Sequence, residues 1–225
     1  MDVRYFLRQR LEFISQLYRL SSSPYVERKR QIEAGEGPFA PYYDESGEPP
    51  HLEKWLEAEE SVQVLGRSCI SMLASALHAY LMTWQQLTRV PIDEELSTTF
   101  KKKGWLQGYK TYFERHMRVP FVKCPVSLEL LEELVLARNR VQHPDSITTD
   151  ASVYSKADLK KLSRPFFIDE GDLDRLPDLT LDERWLLLPS IMVTPERLEA
   201  ALRAVEQFAE WFETVEAVPE DSVDG

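Results

Sequence analysis

Among the 225 residues, one short stretch has residue types and spacing suited to chemistry on an anion: Arg138-Asn139-Arg140-Val141-Gln142-His143. Asn139 is the only asparagine in the chain, and a histidine follows it four positions on. An Arg-Asn-x3-His match is expected about once in a thousand sequences of this composition, whereas a looser Arg-to-His spacing is expected about once in every one. On a helix Asn139 and His143 share a face, while Arg138 falls in line with Leu131, Leu134 and Val135 and so points toward a core. Arginine cannot shed its proton, so a buried one needs an acceptor: a carboxylate, a carbonyl or an anionic ligand. Pro144 disfavours helical backbone at His143, which ends the helix there, at the mouth where negative dipole charge favours an imidazolium. Cation, amide and imidazole together suit proton transfer at a phosphate. The same three residues also suit a structural role, with the histidine capping the last carbonyls of its helix.

The elements that must position this stretch are helical. From Leu52 to Leu87 the series Trp55, Val62, Leu65, Cys69, Leu73, Ala76, Tyr80, Trp84 and Leu87 keeps helical spacing without a proline, with Gly66 as the one place for a bend. Trp105 to Met117 forms a shorter helix with Trp105, Tyr109 and Tyr112 as a core row. Ser127 is the N-cap of the motif helix, whose inward face is Leu128, Leu131, Leu134 and Val135. Thr194-Pro195 opens the last helix, with the stripe Leu198, Leu202, Val205, Phe208 and Phe212. Before these four, Val3 to Leu20 reads as an amphipathic accessory helix. Residues 21 to 51 hold Pro24, Pro38, Pro41, Pro49, Pro50 and three glycines, and read as a linker that wraps the body. Short apolar runs at Phe166 to Ile168 and Trp185 to Val193 read as a small β-like insertion. The expected fold is mainly α, a helical bundle with an N-terminal accessory helix and that insertion before the last helix. It divides into residues 1–51 (helix and Pro/Gly-rich linker), 52–215 (helical domain) and 216–225 (acidic tail).

The motif stretch Leu131 to Pro144, LEELVLARNRVQHP, resembles the motif helix of the HEPN superfamily, whose signature is an Arg, a polar residue that is commonly Asn, and a His after a short gap. The likeness spans about residues 52 to 215. It implies a HEPN-like helical bundle that forms a homodimer and brings two motifs into one cleft. It also implies a metal-independent endoribonuclease without cofactors, in a toxin–antitoxin, antiviral defence or RNA-processing system, with a neutralising partner protein in the first case. Carried over to this chain, His143 serves as base or acid at the ribose 2′-OH and the leaving oxygen, Arg138 holds the scissile phosphate, and Asn139 orients it. The products are a 2′,3′-cyclic phosphate and a free 5′-OH, and DNA is spared for want of the 2′-OH. The alternative is a non-catalytic HEPN-like module for dimeric interaction or nucleotide binding, in which the motif is a dimer contact.

Other residues carry weaker signals. Arg140, Lys156, Lys160, Lys161 and Arg164 follow the motif closely enough to flank an RNA cleft, and Lys101-Lys102-Lys103 reads as a solvated charge run. His78 and His116 read as core or boundary histidines and His51 as a surface residue in a turn. The acidic group Asp169, Glu170, Asp172 and Asp174 lacks a calcium-loop arrangement. Cys69 and Cys124 stand far apart, with no Cys/His ladder for zinc, and neither a phosphate-binding loop nor a hydrolase elbow occurs.

The formal charge of -11 argues against general polyanion binding. That total is uneven, however: residues 195–225 hold two basic and nine acidic residues, whereas 91–126 hold seven basic and four acidic, and 138–164 six basic and three acidic. A local RNA cleft beside the motif is compatible with this distribution. Ser68 to Thr88 has no charged residue yet carries eight Ser, Thr, Gln or His side chains, so it reads as a buried helix rather than a membrane span. The N-terminus alternates charged and apolar residues too quickly for a signal peptide, and a cytoplasmic location is expected.

Overall fold

Asp2 begins the first helix, α1 (Val3–Ala34), by accepting a hydrogen bond from the Tyr5 N–H at 2.8 Å. This computed structural model describes residues 2–40, 47–143, 152–169, 171 and 188–216. α1 does not stop at Leu20. It runs through Pro24 to Gly35, whose left-handed φ of 63° turns its N–H back onto the carbonyls of Gln31 and Ile32. Residues 21–34, expected as linker, are therefore helical. Pro24 removes one N–H donor, but the stripe Val3, Leu7, Leu11, Ile14 and Tyr18 continues through Leu17 and Tyr25 against the same core. Polar ties then hold the far turns: Lys29 pairs with Glu59, its ammonium sits 4.5 Å from the Trp55 ring, and Trp55 Nε1 donates to Glu33. The N-terminal helix thus belongs to the core and is not an accessory.

The second helix, α2 (Leu52–Thr88), is about 55 Å long at 1.5 Å per residue and packs on α1 along its length. Its apolar window is long enough to cross a membrane, and 61% of it is buried inside the protein. Gly66 lies within this continuous helix. A Cβ there would lie 2.7 Å from Val193 Cβ, so glycine is what lets the 188–193 segment lie on the helix. Gln63 completes this docking by accepting the Val193 N–H at 2.9 Å.

Further helices close on α2 and on one another. Asp93 caps α3 (Glu94–Lys103), an element with no counterpart in the sequence expectation, and Lys101, Lys102 and Lys103 are its last turn. α4 (Trp105–His116) buries Tyr109, Tyr112 and Phe113, as the core row required. Gly108 passes beneath Phe100 so closely that a Cβ would meet its ring at 2.5 Å, which fixes α3 against α4. The motif helix is α5 (Leu128–Gln142). After it come α6 (Lys156–Leu159) and α7 (Pro195–Glu216), which buries Leu198, Leu202, Val205, Phe208 and Phe212 in the same core. Thr194 does cap α7, accepting from the Arg197 N–H at 3.3 Å.

The described part of the β-like insertion is extended chain rather than paired strands. Among the described residues there is no strand, only one antiparallel bridge between Val153 and Ser190. The flanking chain is extended and buries Tyr154, Phe167, Ile168, Ile191 and Val193 against helices, so its backbone pairs too briefly to make a ladder. Trp185 to Leu187, the acidic residues 170, 172 and 174, Pro144 and the tail 217–225 lie outside the described residues.

Candidate functional site

Ser127 begins α5 as expected, accepting from the Leu130 N–H at 3.3 Å, and Leu131 and Leu134 are fully buried beneath it. The helix ends at Gln142, and His143 caps it with φ -129° while its N–H donates to the Asn139 carbonyl at 3.0 Å. The two sides of this helix are built differently.

One side is occupied by the 152–168 segment. Glu129 accepts from the Ser163 backbone and hydroxyl. Glu133, 1% exposed, accepts from Tyr154 Oη at 2.6 Å, Phe166 N at 2.7 Å and Phe167 N at 2.8 Å. Burial pushes the Glu133 carboxyl up, against the pull of those three donors. Arg140 Nε donates to Asp158 Oδ2 at 2.6 Å. Asp158 also accepts from the Ser155 N–H and hydroxyl in a capping box, and although burial raises its carboxyl, Ser155 and Arg140 together hold it below the ordinary carboxylate range. Arg140 is thus tied into the fold. Lys156, Lys160, Lys161 and Arg164 are exposed on this covering segment, away from Arg138, which lies about 160° around the helix from Arg140.

The other side presents Arg138. It is half-buried, and its Nη1 donates to Asn139 Oδ1 at 3.0 Å. Among the described residues this cation makes no ion pair, so its acceptor is a neutral amide. The structure therefore brings Arg138 and Asn139 together. His143 is exposed and its side chain has no hydrogen-bond partner among the described residues. No hydrogen bond joins it to Arg138 among the described residues.

A different imidazole comes under the charge of Arg138. His78, on α2, is half-buried, with its ring stacked on Trp105 at 4.6 Å and 23° and tilted against Tyr109 at 5.8 Å. Burial lowers its proton affinity first, and the guanidinium charge of Arg138 lowers it further. His78 stands 60 positions from Arg138, and nothing in its own helical pattern separates it from an ordinary boundary residue. Its place beside Arg138 follows from the packing of α2 on α5.

Beyond Arg138 the end of α5 borders a cleft of about 490 Å³, lined by Gln142 together with Phe6, Arg10, Phe13, Ser71 and Met72 of the first two helices. Among the described residues no acidic side chain lines it. Burial pushes the Cys69 thiol up to about 11 and raises Cys124 as well, which leaves both as weak nucleophiles at neutral pH. Among the described residues no three His, Cys, Asp or Glu side chains gather as a metal site. Neither a family model, nor a curated protein, nor a solved structure matches this chain, and what the site does is read from its own residues.

Proposed function

We propose that this protein is a HEPN-like, metal-independent endoribonuclease that acts as a homodimer, in a toxin–antitoxin or defence setting with a neutralising partner protein. The observation that carries this reading is the difference between two neighbouring arginines. Arg140 is neutralised by Asp158, whereas half-buried Arg138 donates to the Asn139 amide, makes no ion pair among the described residues, and keeps its charge for an incoming anion. A phosphodiester supplies that charge. Arg138 holds the phosphate, Asn139 orients the guanidinium through its own amide oxygen, and exposed His143 exchanges a proton with the reacting oxygens.

Self-association is favoured at the cleft beside Gln142. A chain of net charge -11 repels its own copy over most of its surface, and among the described residues this cleft presents aromatic and hydroxyl side chains with one arginine and no acid. The cleft adjoins the motif, so a copy seated there brings a second motif close to the first.

The test is cleavage of single-stranded RNA in EDTA by the purified chain. Arg138→Ala and His143→Ala are each expected to lower the rate by about 100-fold or more while the far-UV circular dichroism stays unchanged. Equal cleavage by wild type and both variants would sink the reading.

A further inference from the structure

Helices of a folded chain bury their large apolar side chains against something, and a long row of them left facing water marks a surface that another molecule covers. Such a row runs along the pair of α1 and α2. On α1, Phe6, Phe13 and Leu20 recur every seven residues on one face and are 54%, 56% and 61% exposed. α2 lies antiparallel beside it, with Trp55 tied to Glu33 at one end and Ser71, Met72 and Ser75 sharing a cleft with Phe6 and Phe13 toward the other. On that side α2 presents Val64, Ser68, Ser71, Ser75 and Met82, spaced to lie on a single helical face, and of these Val64 is 48% and Met82 40% exposed. Charge is directed elsewhere. Residues 68–88 have none, and Arg4 and Arg8 lie on the other flank of α1, where they pair with Glu210, Glu213 and Glu206 of α7. Among the described residues Arg10 is the one charged side chain lining the cleft.

One cation is too few for a phosphate backbone, and a chain of net charge -11 is repelled by an anionic membrane surface. The strip is instead complementary to itself: Phe6 and Phe13 project, and beside them Ser68, Ser71 and Ser75 form a trough of small side chains. From residue 64 to residue 82 it is about 27 Å long, and two helices side by side are about 20 Å wide. That gives on the order of 500 Å² per copy and about 1,000 Å² for a two-fold pair, the size at which specific interfaces begin. We propose that this strip is the face on which two copies of the chain pair, α1 and α2 against α1 and α2 about a two-fold axis, with Phe6 and Phe13 of each copy seated in the serine trough of the other. The pairing rests on the reading above for the homodimer alone, not for RNA cleavage. Gln142 lines the same cleft, so rings seated there abut the last turn of α5, next to His143.

Sedimentation equilibrium of the full chain between about 1 and about 100 μM tests the pairing. Wild type is expected to dimerise in that range, and Phe13→Glu and Ser75→Glu each to weaken the dimer by about 100-fold or more with far-UV circular dichroism unchanged. Val122→Glu, at a valine 94% exposed on another element, is expected to leave the dimer intact. An equimolar mixture of Phe13→Lys and Ser75→Glu chains is expected to regain it, because ring-in-trough packing sets position 13 of one copy against position 75 of the other. A monomeric wild type overturns the proposal, as does a dimer that both strip variants leave intact, a mixture that stays monomeric, or a wild type that floats with phosphatidylcholine vesicles and does not pair. RNA cleavage in EDTA is read on the same samples. Cleavage by a monomeric wild type overturns the pairing and leaves the nuclease, whereas a dimer that the strip variants dissolve and that cuts no RNA overturns the ribonuclease reading and leaves the pairing.

Discussion

Arg138 and Arg140 are two residues apart on one helix, yet they meet opposite surroundings. Arg140 faces a segment that returns over α5 and supplies Asp158, itself held by Ser155. Arg138 donates to the Asn139 amide and makes no ion pair among the described residues, while its charge reaches the His78 imidazole of α2. The first arrangement removes the energetic penalty of a buried charge within the chain. The second leaves that penalty in place, so any ligand that brings an anion to Arg138 relieves it on binding. A helix can in this way be rigidly anchored on one side and reactive on the other.

The anchored side is where the largest stability losses are expected. Glu133→Ala strips the acceptor from the Tyr154 hydroxyl and two backbone N–H groups in a buried place, and should cost about 3 kcal/mol or more in urea-unfolding experiments. A loss below about 1 kcal/mol would mean that the covering segment is not anchored by this carboxylate. Arg140→Ala breaks a partly buried pair and should cost about 1–2 kcal/mol. Arg138→Ala is the sharpening control. It removes a cation with only an amide partner, so its unfolding midpoint should stay within about 0.5 kcal/mol of wild type or rise. If Arg138→Ala destabilises more than Arg140→Ala, the contrast between the two sides is wrong.

The smallest effect is in pH. The proton affinity of folded His78 is depressed, so folding disfavours its imidazolium. Its contribution to stability is complete above the unfolded value of about 6.5 and is lost as the pH falls through the lower folded value. Thermal unfolding of wild type should therefore weaken, as the pH falls below about 6.5, more steeply than that of His78→Asn. Parallel curves for the two proteins would remove His78 from the charged neighbourhood of Arg138.

Much of the frame was legible because it depends on local rules. Ser127 and Thr194-Pro195 marked two helix starts through side-chain oxygens that reach backbone N–H groups close by in sequence. The apolar series of α2 and the inward row of α5 followed from the 3.6-residue period. Local rules failed where packing outweighed them. Pro24 argued for an end to α1, yet apolar residues and ion pairs on both sides of it hold the helix through to Ala34. α3 was missed because it buries only Leu96 outright, although Asp93 at its start and three lysines at its end were visible capping signals.

What the sequence by itself determined is a mainly α chain with one rare cluster, Arg138, Asn139 and His143, because helical period and residue rarity need no knowledge of distant neighbours. Which of its arginines lacks an ion pair among the described residues, and which histidine feels its charge, only the tertiary structure decided. Asp158 lies 18 residues from Arg140 and His78 lies 60 residues from Arg138, and their effects on proton affinity act through space, between elements whose packing no local pattern encodes.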